Sequence, residues 1–215
     1  MKSRSFTAKV KRGFERLRQD GVLATLLHYL KMTGIVIRPF YYTKEVLPSA
    51  IPDRVTAIPD DVAFSVFGRE EVLIISKLAE RKGYVGEQLV INSFLNGDTC
   101  LGLKYHGDIA AFTWFSLKQI PTAHLYEAQM AMNEAYLYDM YVLKAFRGNN
   151  LAPILRYKSY EMLNRMGRDT FYSVTEYFNT ASARFKTKLN AQVIFLALYI
   201  EIFKRYRISW ILRRY

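Results

Sequence analysis

The sequence predicts an α/β (α+β) protein in which strands and helices alternate, with a helical extension at its N-terminal side. Three observations carry this. The run from Tyr136 to Met166 changes period part-way: Tyr136, Tyr138, Met140 and Val142 alternate with Leu137, Asp139 and Tyr141 as in a strand. After Arg147-Gly148-Asn149-Asn150, the residues Leu151, Ile154, Leu155, Met162, Leu163 and Met166 recur at helical spacing. A second strand–helix pair follows at Tyr172–Val174 and Asn179–Leu189. Upstream, Thr99–Tyr105 and Ile109–Leu117 flank His106-Gly107-Asp108, a short turn that marks a hairpin.

From the N-terminus, Phe6, Val10, Phe14 and Leu17 lie at helical spacing among Lys9, Lys11, Arg12, Arg16 and Arg18. Asp20-Gly21 breaks this pattern, and Leu23, Leu26, Leu27 and Leu30 form a second apolar stripe ending at Gly34. Residues 1–45 are therefore expected to be a basic amphipathic extension, able to lie on an anionic bilayer or to pack on the domain or on a second subunit. Residues 46–61 hold Pro48, Pro52 and Pro59 and suit an extended connector. Ile35–Arg38 and Phe40–Tyr42 could add a strand or edge segment before it. The main domain is expected over 62–215, with a first strand at Val62–Phe67 and helices over Glu70–Arg81 and Gly86–Asn96. A short helix is expected over Ala123–Met132. The chain then closes with a β-rich strand at Gln192–Ile202 and a partner at Tyr206–Leu212. Trp114, Phe112 and Phe115 are expected in the core.

The net charge of +12 sits almost wholly at the ends. Residues 1–18 hold seven Lys/Arg and one Glu, residues 204–215 five Lys/Arg and no acid, so the middle is nearly neutral. Basic ends carrying aromatic residues point to an anionic membrane surface or an acidic carrier protein. Nucleic acid is not expected, since no reading motif accompanies the charge. A single cysteine, Cys100, excludes an internal disulfide. No apolar run reaches the ~20 residues of a membrane span, and no signal-peptide pattern is seen. The expected address is the cytoplasm, peripheral at the inner face of the membrane. His28, His106 and His124 lack ligand spacing, so no metal is expected.

The 136–166 stretch also has a chemical use. The first turn of a helix leaves backbone N–H groups unpaired and partly positive, and a small-residue turn in front lets a phosphate approach them. Gly148 frees the backbone, Asn149 and Asn150 tolerate left-handed φ, Arg147 adds charge, and Pro153 suits the entry. An ordinary strand–helix connection would use the same residues.

These residues resemble the acetyl-CoA motif of the GCN5-related N-acetyltransferases (GNAT): a strand ending in Val, a short gap, then Arg/Gln-x-x-Gly-x-Gly/Ala. Here Met140-Tyr141-Val142 is followed by a four-residue gap and Arg147-Gly148-Asn149-Asn150-Leu151-Ala152, with Asn150 where Gly is usual. Asn179, Ser182, Lys188 and Leu189 are similar to the family's second motif, in which Lys186 replaces the usual Tyr and Asn190-Ala191 replaces Gly-Phe. The resemblance spans roughly residues 60 to 200. It implies a GNAT fold, with a central mixed, mostly antiparallel twisted sheet flanked by helices. It also implies acyl transfer from acetyl-CoA, or from another acyl-CoA or acyl carrier protein, to an amine acceptor such as an amino sugar.

The implied acyl-CoA contacts are Met140, Tyr141 and Val142, then Arg147, Gly148, Asn149, Asn150, Leu151 and Ala152, and further on Asn179 and Ser182. Catalytic candidates are Glu134, Tyr136 and Tyr138, placed on the Val142 face by strand parity, and Glu176 and Tyr177 at the end of the next strand. Tyr172 or Tyr177 could stand in for the missing Tyr as acid. Asp139 faces away from Val142 in a regular strand; a β-bulge would reverse that. Two alternatives to this function stay open, a long-chain acyltransferase and a non-catalytic interaction module of the same fold, and the chain could pair as a homodimer.

Overall fold

The computed structural model describes residues 22–47, 59–81, 86–118 and 130–215. The basic helix expected over residues 2–18 and most of the helix expected over Ala123–Met132 lie outside them. Residues 22–32 are helical (α1) and lead through Thr33-Gly34 into strand β1, Ile35–Val46. Then come β2 (Val62–Phe67), α2 (Arg69–Ser76), α3 (Glu87–Leu95), β3 (Thr99–Tyr105) and β4 (Asp108–Ser116). The signature stretch gives β5 (Glu134–Val142) and α4 (Leu151–Arg165). β6 (Thr170–Glu176), α5 (Thr180–Lys188), β7 (Gln192–Ile202) and β8 (Tyr206–Arg214) complete the chain.

Two of these elements differ from expectation. In place of two short strand or edge segments at the end of a helical extension, Ile35–Val46 is one twelve-residue strand, and it pairs between β6 and β7. Pro39 inside it lacks a donor, but its carbonyl accepts the Tyr177 N–H at 2.9 Å. The helix expected over Glu70–Arg81 stops at Ser76. Lys77 and Leu78 donate to Ile74 and Ile75 three residues back, and Ala79–Arg81 forms a separate 3₁₀ turn. That break carries Arg81 into the interior.

The chain forms two compact units. One contains the described residues within Lys44–Pro121 and Glu127–Ser173, the other those within Met1–Thr43 and Val174–Tyr215, and β1 and β6 contribute to both. In the first unit the strands pair in the order β2-β3-β4-β5-β6. The β2–β3, β3–β4 and β4–β5 pairs are antiparallel, and β5–β6 is parallel. On one face, Cys100, Phe112 and Trp114 pack with Phe67, with Val72 and Ile75 of α2 and with Val90 of α3. Phe67 crosses directly over Gly102, where an added Cβ would lie 1.8 Å from its ring. The residues of opposite parity, Leu101, Leu103, Phe115 and Leu137, are equally buried, and α4 packs on β3, β4 and β5. Each such large apolar side chain contributes about 1.5–3 kcal/mol by leaving water.

A buried polar cluster joins the end of β1 to α4 and β6 in this unit. The Glu45 carboxylate accepts from Tyr160 Oη and from Ser173 Oγ (2.7 Å), with Arg156 Nε at 3.9 Å. Burial and the Glu45 charge hold the Tyr160 hydroxyl well above its ordinary pKa, so it remains a donor.

In the second unit the order is β6-β1-β7-β8, with β7 and β8 antiparallel. Tyr42 stacks on Phe195 with ring centroids 4.8 Å apart. Among the described residues no helix is long and apolar enough to cross a membrane.

Candidate active site

The site is set by an irregularity in β5. Ala111 and Phe112 of β4 face Val142 and Tyr141, whereas Trp114 faces Tyr138. One β4 residue, Thr113, is thus opposed by two on β5, Asp139 and Met140. This is a β-bulge, and Asp139 takes φ +49 to make it. Thr113 Oγ1 donates to the Tyr138 carbonyl at 3.2 Å, holding the bulge from across the ladder.

The bulge overturns the parity expected from simple alternation. Tyr136, Tyr138 and Tyr141 oppose Ser116, Trp114 and Phe112, which share one face of β4. Val142 opposes Ala111 and so lies on the other face, not with Tyr136 and Tyr138. Asp139 turns toward the Phe112 face, where Arg81 Nη2 meets its carboxylate at 2.5 Å. The Arg81 guanidinium lies over the rings of Phe112 (5.0 Å) and Tyr141 (5.3 Å), only 4% exposed, with Nε and Nη1 buried and without a hydrogen-bond partner among the described residues. Burial pushes the Asp139 carboxyl pKa up, against the opposing pull of Arg81.

β5 is also open on one side. Its ladder with β6 runs only from Glu134↔Thr170 to Tyr136↔Tyr172. From Leu137 onward, among the described residues, it pairs only with β4. Beyond Val142 the chain makes a 3₁₀ turn, Lys144–Phe146, tied by Leu143 N–H to the Ala110 carbonyl and by Lys144 N–H to Glu80. Gly148 (φ +92) and Asn150 (φ +56) then turn the backbone through the left-handed region into α4. An added Cβ at Gly148 would meet nothing, so glycine serves the dihedral there and not the space. No side chain caps α4, and Pro153 has no N–H, which leaves the amides of Leu151 and Ala152 facing outward from its first turn. Arg147 Nε donates to the Val142 carbonyl (3.2 Å) and its guanidinium covers Tyr141 (5.4 Å), bracing strand end against turn.

An open strand edge running into a left-handed turn and an uncapped helix is a distinctive arrangement, and solved structures share the fold around it. A tandem GNAT protein from the clavulanic acid biosynthesis pathway superposes with a TM-score of 0.55 at 13% identity, covering 87% of this chain and 58% of that one. A GCN5-related N-acetyltransferase from Sphaerobacter thermophilus gives 0.55 at 12% identity, covering 84% and 56%. The chain has the GNAT fold. A structure assigned to the GNAT family from Novosphingobium aromaticivorans agrees, at 0.53 and 15% identity over 77% of this chain and 65% of the other. The chain thus spans less than two-thirds of the length of these structures. No protein-family model matches the sequence, and no curated protein does.

Within the GNAT fold the candidates separate. Met140, Tyr141 and Val142 line the open part of β5, and Arg147, Gly148, Asn149, Asn150, Leu151 and Ala152 form the turn and helix entry. Asn179 has a structural task of its own: its side chain accepts the Ser182 N–H at 3.0 Å and caps α5. Lys186, in place of the family's usual Tyr, is buried.

Among the catalytic candidates, Tyr136 is 1% exposed and belongs to the core. Tyr138 donates to Asp98 at 2.7 Å, and burial pushes its hydroxyl pKa far up. Glu134 accepts from the Ala131 N–H and from Tyr172 Oη, both at 2.9 Å. Burial and that carboxylate push Tyr172 up to about 12. Glu176 is exposed at the end of β6, and Tyr177 stacks on Tyr41 at 5.4 Å. The pair that sequence reasoning missed is Arg81–Asp139. A lone Arg after a helix gives no signal, and Asp139 required knowledge of the bulge.

Proposed function

We propose that this chain transfers an acyl group, most simply the acetyl group of acetyl-CoA, to an amine. The observation that supports it is the open edge of β5 leading directly into the Gly148–Asn150 turn and the uncapped start of α4. A thioester with a long amide-bearing arm and a pyrophosphate is matched by those parts in order. Strand amides are available to its peptide-like arm and thioester carbonyl, and the helix N-terminus to its phosphates.

The acceptor amine forms a C–N bond to the thioester carbonyl carbon as the C–S bond breaks. The amine loses one proton and the departing thiolate takes one up. Asp139 is the base this reading assigns. It lies on the open part of β5, and its carboxyl binds a proton more firmly than an ordinary aspartate. Arg81 fixes its orientation. An amine on a sugar remains the acceptor class this reading favours.

The test is calorimetric titration of acetyl-CoA into the full chain, followed by thiol release with a panel of amines. Micromolar binding is expected. Asp139→Asn is expected to keep that binding while slowing transfer by roughly 10²–10⁴-fold. If acetyl-CoA does not bind, the reading fails. If Asp139→Asn transfers at the full rate, the base is elsewhere.

A further inference from the structure

Among the described residues, the second unit carries an exposed apolar face that the acyltransferase reading does not use. β8 is the edge strand of its unit, and Tyr206, Ile208, Trp210 and Leu212 are exposed along it. Tyr206, Ile208 and Trp210 lie directly across from Ile202, Ile200 and Leu198 of β7, which are only half-buried. The hairpin therefore presents one continuous apolar side. Its other side is finished: Phe195, Ala197 and Tyr199 are buried, and Glu201 accepts from Tyr199 and pairs with Arg207 at 2.9 Å. Separately, α1 of the same unit exposes Val22, Leu26, Tyr29 and Met32 at helical spacing.

Charge decides what covers this face. Lys204, Arg205 and Arg213 flank the apolar side chains, Arg213 opposite Leu196 on the same side of the hairpin, and no acid occurs between Ile202 and the last residue. A second copy pairing edge to edge would bring two such sets of three cations together, which like-charge repulsion opposes. An anionic bilayer supplies both complements. Trp and Tyr suit the headgroup level, the aliphatic side chains reach the acyl boundary, and arginines meet lipid phosphates. We propose that the β7–β8 hairpin docks the protein on an anionic membrane surface, with Trp210 at the centre of the contact.

The chain has two tryptophans, Trp114, which is 1% exposed, and Trp210, which is 51% exposed, so emission changes on docking report Trp210. The full chain is mixed with phosphatidylcholine vesicles with and without phosphatidylglycerol. A blue shift and co-sedimentation are expected with the anionic vesicles only, and both weaken as salt is raised. Arg205→Gln with Arg213→Gln is expected to weaken binding roughly 30-fold, from about 1 kcal/mol for each basic residue at such a surface. Ile208→Asp, or Leu212→Asp if the first variant unfolds at a lower temperature, is expected to abolish the shift. Equal binding to neutral vesicles overturns the proposal, as does binding without a Trp210 response. So does protection of Trp210 from iodide in a dimer without lipid, which would make a second copy the occupant. None of these readouts depends on acyl transfer.

Discussion

The helices α4 and α5 each follow a strand, and each has an asparagine in the left-handed region where the GNAT resemblance has glycine. They use it at opposite ends. Asn190 (φ +53) stops α5: its N–H bonds the Thr187 carbonyl and that of Ala191 the Lys186 carbonyl, the standard closure of a helix C-terminus. Asn179 caps the other end, so α5 is closed at both termini by its own residues. α4 is closed only behind, where Gly167 and Arg168 bond back to Asn164 and Leu163. At its front, Asn150 adopts the same dihedral (φ +56) without a capping bond. The left-handed residue closes hydrogen bonds in α5, whereas in α4 it turns the chain into the helix and leaves the entry uncapped. What is left incomplete by the fold marks where a ligand is expected; a shared motif residue does not mark it by itself.

The largest effect that would break this contrast is at Gly148. Gly148→Asp strains the φ +92 turn and also sets a carboxylate against the phosphates, whereas Gly148→Ala brings the strain without the charge. Acetyl-CoA affinity is expected to fall by about a hundredfold, or about 3 kcal/mol, in Gly148→Asp and by less in Gly148→Ala, with the same drop in melting temperature in both. Calorimetry beside thermal unfolding separates the two. Asn150→Ala is expected to cost roughly tenfold in the same affinity, since alanine resists that dihedral by about 1–2 kcal/mol. The matching changes on α5, Asn179→Ala and Asn190→Ala, are each expected to lower stability by about 1 kcal/mol in urea titration. They should leave acetyl-CoA binding unaltered. Loss of affinity in Asn179→Ala would show that its side chain serves a ligand as well as the cap.

The smallest effect extends the contrast to the strands in front. β5 buries Asp139 in its bulge, while β6 carries no carboxylate before its exposed end at Glu176. Because the folded Asp139 pKa is raised above 3.8, this group's favourable contribution is present below that value and is lost as pH rises through the raised pKa. Asp139→Asn should flatten that part of the stability–pH curve, and urea midpoints across the acid range would read it. Transfer itself should rise with pH through the same window if Asp139 must be ionised to act.

Much of this was legible from sequence because it is local. The hairpin of β3 and β4, the Tyr136–Met166 stretch, and the β7–β8 pair each declare themselves within a short window. The left-handed Asn150 was legible for the same reason. The features that escaped depend on partners far along the chain. Asp139 looks outward in an alternating strand, and only the register with Phe112 and Trp114 reveals the inserted residue that turns it toward Arg81. Arg81 itself is buried because α2 ends early and a 3₁₀ turn carries it in. Asn179 and Ser182 matched a family motif, yet their visible bond is a helix cap, which any helix of this kind could use.

β1 has a consequence for synthesis. It ends at Val46, its neighbour β6 begins at Thr170, and its other neighbour β7 begins at Gln192. As the ribosome delivers the chain at ~5–20 residues per second, this strand emerges on the order of ten seconds before either partner exists. During that interval both its edges stay unpaired, and it is rich in aromatic and β-branched residues, so it is the segment most exposed to mispairing with other nascent chains. Pro39, which removes one donor from the middle of that edge, and the charges of Arg38, Lys44 and Glu45 are the features that would restrain it until the C-terminal strands arrive.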